Sequence, residues 1–325
     1  VAREGGLKGI MFDPEAYRQP YRAFDRGAQA EAAKHTFAQY AAKARQRGRE
    51  LMSAVVKEYP DATILTLFLL SIHRDAAGRA EPTEALAGSA YGLLPAFVDG
   101  WLDVAPPTLT IVDGCENAYR FNSRLDYLAA ASLIRGKCQR LVSPENRYKY
   151  RAQVQVGFGV YLDAYVNPPD SNWYINPGTQ TPVRRLAQNV ADALDIADEY
   201  VWIYGEQASW WPSPVVASDK VRWPEKLPGI ETALALAADP TAYVLSLLGQ
   251  PGERPNLLTN GDFSGTAATA AADGTAPADW KQGAAPPGWS YWQSGASKGH
   301  PSWDRQVGRT APGAGALVGM SWGCL

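Results

Sequence analysis

Gly9-Ile10-Met11-Phe12-Asp13-Pro14-Glu15-Ala16-Tyr17 ends a short apolar run in two acids spaced two residues apart. A β-strand that delivers carboxylates at its C-terminal tip is how parallel α/β barrels build active sites. The pattern recurs down the chain. Residues 108–112 run into Asp113-Gly-Cys-Glu116, residues 154–162 into Asp163, and residues 200–204 into Gly205-Glu206. Helix-like stretches separate these segments. The recurrence predicts a single carboxylate-lined pocket fed by successive strand ends.

Between these tips the apolar pattern alternates between two kinds. Residues 62–70 are continuously apolar and β-branched, as a strand buried on both faces must be. Residues 25–57 are Ala-rich, with Phe37, Tyr40, Ala41, Ala44, Leu51 and Val55 at helical spacing. Helices are also predicted over 82–104 with a break at Pro95, over 121–134 with Leu125, Leu128, Ala129 and Leu133 on one side, over 183–197, 228–238 and 241–248. A basic stretch, 147–151, leads into the strand over 154–162. A loop at 167–182, rich in Pro, Asn and Gly, and another at 207–224, rich in Trp and Pro, are long enough to carry function. Strand–helix alternation means a parallel sheet with right-handed crossovers.

The readable strands, from residue 8 to residue 204, fall short of a closed (β/α)8 barrel. A closing helix after Glu206 makes the last of them a barrel's final strand, so they are expected to be its fourth to eighth, with the first three upstream. The alternative is an open doubly wound sheet, which predicts a Gly-rich phosphate turn after an early strand. No such turn is present. The expected fold is therefore a TIM-type barrel portion over residues 1–250, followed by a different module over 251–325. There Gly, Ala, Pro, Ser and Trp dominate and helical periodicity stops. Short strands are expected at 256–263, 287–292 and 316–320, with a low-complexity loop over 264–286.

Composition narrows the chemistry. A net charge of −2 over 325 residues gives no electrostatic case for nucleic acid or a membrane surface. The longest apolar run, 62–72, is shorter than the roughly 18 residues of a membrane span. Three cysteines argue against a disulfide framework, and three dispersed histidines against a zinc site. No cofactor or metal is expected. The 11 Trp crowd into the C-terminal half beside 16 Tyr, and flat rings suit the C–H faces of sugars as well as protein cores.

Two segments resemble known families. Asn256-Leu-Leu-Thr-Asn-Gly-Asp-Phe263, Gly288-Trp289 and Gly315-Ala316-Leu317 are similar to the opening of the β-sandwich carbohydrate-binding modules attached to bacterial polysaccharide-degrading enzymes. That resemblance implies a jelly-roll module that binds sugar. Gly6-Leu7-Lys8-Gly9-Ile10-Met11-Phe12-Asp13-Pro14-Glu15 resembles the Asp-x-Glu strand of chitinase-like glycoside hydrolase barrels, although the acids that precede it in that family are absent and Pro14 replaces a bulky residue. The likeness implies Glu15 as general acid and Asp13 as its orienting neighbour. Glu206 after Tyr200-Val-Trp-Ile-Tyr-Gly205 resembles the strand-end Glu of other glycosidase barrels.

Glycoside hydrolysis needs two carboxyls in different protonation states. Candidate catalytic residues are Glu15, Glu206, Glu116 and Asp13. Candidate substrate contacts are Trp210, Trp211, Asp163, Tyr17 and His73, with Trp173 and Trp202 as further aromatic candidates. Each acid also has a plainer reading as a helix cap or salt-bridge partner. The expected activity is cleavage of a poly- or oligosaccharide by a secreted or cell-surface enzyme. The alternatives are a non-catalytic carbohydrate-binding protein on a degenerate barrel, and a barrel isomerase or lyase that anchors a small acid on Arg120 or Arg147.

Overall fold

The computed structural model describes residues 1–17, 22–211 and 221–248, together with two short strands, Ser302–Trp303 and Leu317–Val318. The chain forms two compact units, Val1–Ser246 and Leu247–Leu325. Five strands carry the first unit: β1 (Gly9–Phe12), β2 (Thr63–Thr66), β3 (Thr110–Asp113), β4 (Val154–Tyr161) and β5 (Tyr200–Tyr204). They lie in chain order and every neighbouring pair is parallel. Each crossover steps the same way, which with right-handed connections keeps the helices on one face. A doubly wound sheet reverses its strand order, and no reversal occurs here.

The result is an α/β unit on a curled half-barrel sheet. Lys8, before β1, pairs with Glu199, before β5, and its ammonium stands 5.3 Å from the Tyr200 ring centroid. Two side chains therefore bridge the starts of the first and last strands, which share no backbone pairing. Register puts Phe12, Thr66, Asp113 and Val156 in one row and sets Tyr161 against Tyr204. Ile64, Ile111, Val156 and Phe158 pack in one buried cluster with Met52, Val98, Trp101 and Tyr127 from the helices. Val160 and Leu162 join a second cluster with Leu186, Val190, Trp223 and Ile230.

Local chemistry sets the helix ends. The long helix begins at Phe37, not at residue 25, because Thr36 and Gln39 form a reciprocal capping box. Asp25 instead caps a short 3₁₀ turn, Arg26–Ala28. The stretch 82–104 divides into Thr83–Ala87 and Leu94–Val104, with Pro95 in the first turn of the latter, where its missing N–H costs nothing. The basic stretch forms a short helix, Arg147–Gln153. In Arg124–Ser132 the buried residues are Tyr127, Ala130 and Ala131, while Leu125 and Leu128 are exposed. The strand expected over 62–70 pairs only at Thr63–Thr66. Beyond it the Leu69 and Ser71 N–H groups donate to the Asp113 carboxylate, which pulls the chain off the ladder while Phe68, Leu69 and Leu70 stay buried.

The helices Phe37–Glu58 and Leu94–Val104 cross at two glycines. A Cβ on Gly48 would lie 2.1 Å from the Phe97 carbonyl oxygen, and one on Gly100 2.0 Å from that of Arg45. Beside this crossing Arg45 pairs with Asp99 at 2.9 Å and Asp103 at 2.6 Å, and Asn146 donates to both acids.

In the second unit, Ser302 pairs with Val318 and Trp303 with Leu317, antiparallel. Leu317–Val318 lies inside the strand expected over 316–320. The strands expected at 256–263 and 287–292 lie outside the described residues. Among the described residues no helix is long and apolar enough to cross a membrane.

Gly48→Ala and Gly100→Ala are each expected to destabilise the first unit by about 1–3 kcal/mol, because an added methyl meets backbone that cannot rotate away. Denaturant midpoints check this. The two effects should be less than additive, since both methyls push apart the same helix pair.

Candidate active site

β1 and β3 supply the first group of acids. Asp13, Pro14 and Glu15 continue directly from β1. The Tyr17 hydroxyl donates to Asp13 Oδ2 at 2.6 Å, and the Glu15 N–H donates to Asp13 Oδ1 at 2.8 Å. Hydrogen bonding to Asp13, then burial and Glu15, holds the Tyr17 phenol well above its ordinary range. Asp113, at the end of β3, is fully buried and accepts bonds from the N–H groups of Leu69, Ser71 and Cys115 and from Ser71 Oγ. It fastens loops together and does not line the mouth.

Cys115 then adopts φ 41°, a left-handed conformation unusual for a side chain with a Cβ. The turn starts a 3₁₀ helix, Glu116–Arg120. Residues three apart eclipse in such a helix, so Glu116 and Tyr119 share a side. Glu116 is half-buried, and its carboxyl is pushed up to about 7 by burial and then by the charges of Glu15 and Asp13. The three acids from β1 and β3 thus act on one another across a single mouth.

β4 and β5 supply the second group. Tyr161 and Tyr204 end their strands, and Asp163 and Glu206 follow two residues on, Asp163 in the 3₁₀ helix Leu162–Tyr165. The hydroxyls of Tyr161 and Tyr204 both donate to Glu206, each at 2.9 Å. Burial, and then Glu206, keeps both phenols protonated and able to donate. The rings of Tyr119, Tyr161 and Tyr204 stack, with centroids 5.1 Å (119–161), 5.8 Å (161–204) and 6.2 Å (119–204) apart. Gly159 makes room for the stack: a Cβ there would come within 2.8 Å of both Tyr119 and Trp202. Trp202 is buried and donates from Nε1 to the Gly114 carbonyl at 2.8 Å.

Asp163 is 1% exposed and accepts from the N–H groups of Glu206 and Gln207, and it shares the single Tyr161 hydroxyl proton with Glu206 at the longer distance of 3.1 Å. It ties the tip of β5 to that of β4 and fixes where Glu206 begins. Tyr119 joins the two groups of acids, because Glu116, Tyr204, Tyr161 and Tyr17 all bear on its phenol, after burial.

The remaining candidates divide. His73 is buried, its Nε2 lies 3.0 Å from the Tyr91 carbonyl, and burial lowers its pKa to about 4. It is a neutral local fastener rather than a group presented at the mouth. Trp210 packs against Trp223 in the second core cluster, and Trp211 is 72% exposed. Trp173 stands edge-on to Tyr119 and Tyr161, at 6.1 and 5.8 Å, and carries the Arg120 guanidinium 4.2 Å above its ring. Arg147 begins the short helix that leads into β4, away from the strand tips. Tyr119, Tyr161 and Tyr204 are the residues that sequence reasoning missed. The available signal was the aromatic-x-acid spacing of Tyr161-x-Asp163 and Tyr204-x-Glu206.

Among the described residues no cluster of His, Cys, Asp and Glu could hold a metal ion. No protein-family model matches the chain, no curated protein matches it, and no solved structure matches it.

The raised Glu116 carboxyl has a stability consequence. Its value rises from 4.5 to about 7 on folding, so the unfolded chain releases this proton first as pH climbs. The contribution is fully present below about 4.5 and is withdrawn through about 7. Denaturation midpoints of the wild type relative to Glu116→Gln should therefore fall across that window and level off above it. Parallel curves would show that Glu116 is not held protonated.

Proposed function

We propose that this protein is a glycoside hydrolase acting through paired carboxyls, with Glu116 as proton donor and Glu15 as its carboxylate partner. One feature carries the reading: burial, and then the charges of Glu15 and Asp13 from the tip of β1, two strands away, push the half-buried Glu116 carboxyl up to about 7. Two acids with split protonation are what glycosidic cleavage requires. Glu116 gives its proton to the glycosidic oxygen as the bond to the anomeric carbon breaks. Glu15 attacks that carbon or takes a proton from the attacking water. The strand resemblance favoured Glu15 as the acid; greater burial favours Glu116 for that role, since Glu15 is exposed.

Asp13 orients Glu15 through its N–H, and Asp163, Tyr161 and Tyr204 position Glu206 to bond a sugar hydroxyl. The tyrosine stack and Trp173 offer the C–H faces of a sugar flat surfaces. In this reading the five strands correspond to the fourth to eighth of a (β/α)8 barrel. The Lys8–Glu199 pair fits that assignment, because strands four apart in such a barrel face each other across its interior. The second unit is read as a carbohydrate-binding module, and the protein as secreted or cell-surface.

The test is a polysaccharide and oligosaccharide panel scored by released reducing ends. Glu116→Gln should lower kcat by about 10²–10⁴-fold on natural glycosides, the usual worth of a general acid. The loss should shrink on aryl glycosides whose leaving phenol needs no proton. Wild-type activity should fall as pH rises through about 7, where Glu116 loses its proton. An unchanged rate in Glu116→Gln would overturn the assignment, and saturable sugar binding without turnover by the wild type would leave a binding protein instead.

A further inference from the structure

Among the described residues Arg120 is an exposed cation beside the tyrosine rings, and its placement is unusual. It closes the same 3₁₀ helix that begins with Glu116 and contains Tyr119. It also follows a rim that carries Asp13, Glu15, Glu116 and Glu206. An exposed guanidinium in that setting would ordinarily swing onto a carboxylate. Arg120 makes no ion pair or hydrogen bond among the described residues. Its guanidinium carbon instead lies 4.2 Å over the Trp173 ring, a cation–π arrangement.

Trp173 is itself held. Asn167 Nδ2 donates to its carbonyl at 2.8 Å, its N–H donates to Ser171 Oγ at 3.1 Å, and its ring meets Tyr119 and Tyr161 edge-on. A guanidinium held over a ring by its face keeps its N–H donors uncommitted. Arginine can then grip a planar oxyanion with two parallel N–H bonds.

We propose that Arg120, held over the Trp173 ring, is the subsite for an oxyanion substituent on the sugar, a uronate carboxylate or a sulfate ester. The inference rests on the glycoside reading of the same mouth and names its substrate class as acidic saccharides. Electrostatics make the anchor necessary as well as available. A carboxylate-lined mouth repels an anionic sugar unless one site compensates the charge. The Glu116 carboxyl, at the other end of the same 3₁₀ helix, is pushed up to about 7, which lowers the negative charge that an anionic sugar meets there. The substituent then sits at the Arg120 end of the tyrosine wall, and the glycosidic bond at the Glu116 end.

The experiment uses the whole chain and three matched oligosaccharides: a uronate-containing one, its carboxyl-reduced neutral counterpart, and a sulfated neutral one. Binding is followed by titration calorimetry and cleavage by reducing ends, at fixed ionic strength. Wild type should prefer one of the charged ligands over the neutral one by roughly tenfold to a hundredfold, the usual worth of a hydrogen-bonded charge pair. The preferred arm identifies carboxylate or sulfate. Arg120→Gln should abolish the preference, and Arg120→Lys should restore part of it, since a point charge keeps attraction but loses the fork. Trp173→Leu should weaken the preference through loss of the platform.

A wild type that treats the three ligands alike, or a preference that survives Arg120→Gln, overturns the proposal. Charged-ligand binding that depends on Arg120 without any turnover supports the anchor and sinks the hydrolase reading instead.

Discussion

Parallel pairing in unbroken chain order is the constraint from which the rest of the first unit follows. With every strand running the same way, all C-terminal tips share one rim. Whatever residue types follow the strands are then collected there, whether or not their charges agree. This chain follows its strands with acids, and the rim gathers them where burial weakens solvent screening. The raised Glu116 carboxyl is the electrostatic result of burial beside Glu15 and Asp13.

The acids at the rim do not share one task. Asp113 and Asp163 are almost wholly buried, and each spends its oxygens on backbone N–H groups of a neighbouring segment. A buried carboxylate is stable only when it is so satisfied. These two act as fasteners that hold the strand-end turns in place. Asp13, Glu15, Glu116 and Glu206 remain half-buried or exposed. Burial separates the acids that fasten backbone from those left open to solvent, although all follow strands in the same way.

Aromatic packing lines the strand tips of β4 and β5. The Tyr119–Tyr161–Tyr204 stack rests against Gly159, whose missing side chain lets rings from two other elements close over β4. Behind the sheet, Gly48 and Gly100 do the same for two helices and bring the Arg45–Asp99–Asp103 network into register. In both places a glycine is needed for close approach, because the opposing surface is backbone or ring and cannot yield.

The parallel α/β order, the strand positions and the acids at their tips were legible in the residues themselves, because strand and helix periods differ and Asp or Glu after an apolar run is a local signal. The tyrosine stack was half legible: Tyr161-x-Asp163 and Tyr204-x-Glu206 carry the two-residue period, but nothing local says that Tyr119 lies over them. The sorting of Asp113, Asp163 and His73 into fasteners was not legible. Burial and the partner of a polar side chain depend on segments tens of residues away, such as Leu69 and Ser71 for Asp113 and Tyr91 for His73. Sequence alone determined which chemical groups reach the rim. Only the tertiary structure decided which of them are spent on backbone, which acid has its pKa raised, and that Arg120 lies on a tryptophan instead of a carboxylate. Those outcomes are set by through-space distance and desolvation, which no linear pattern encodes.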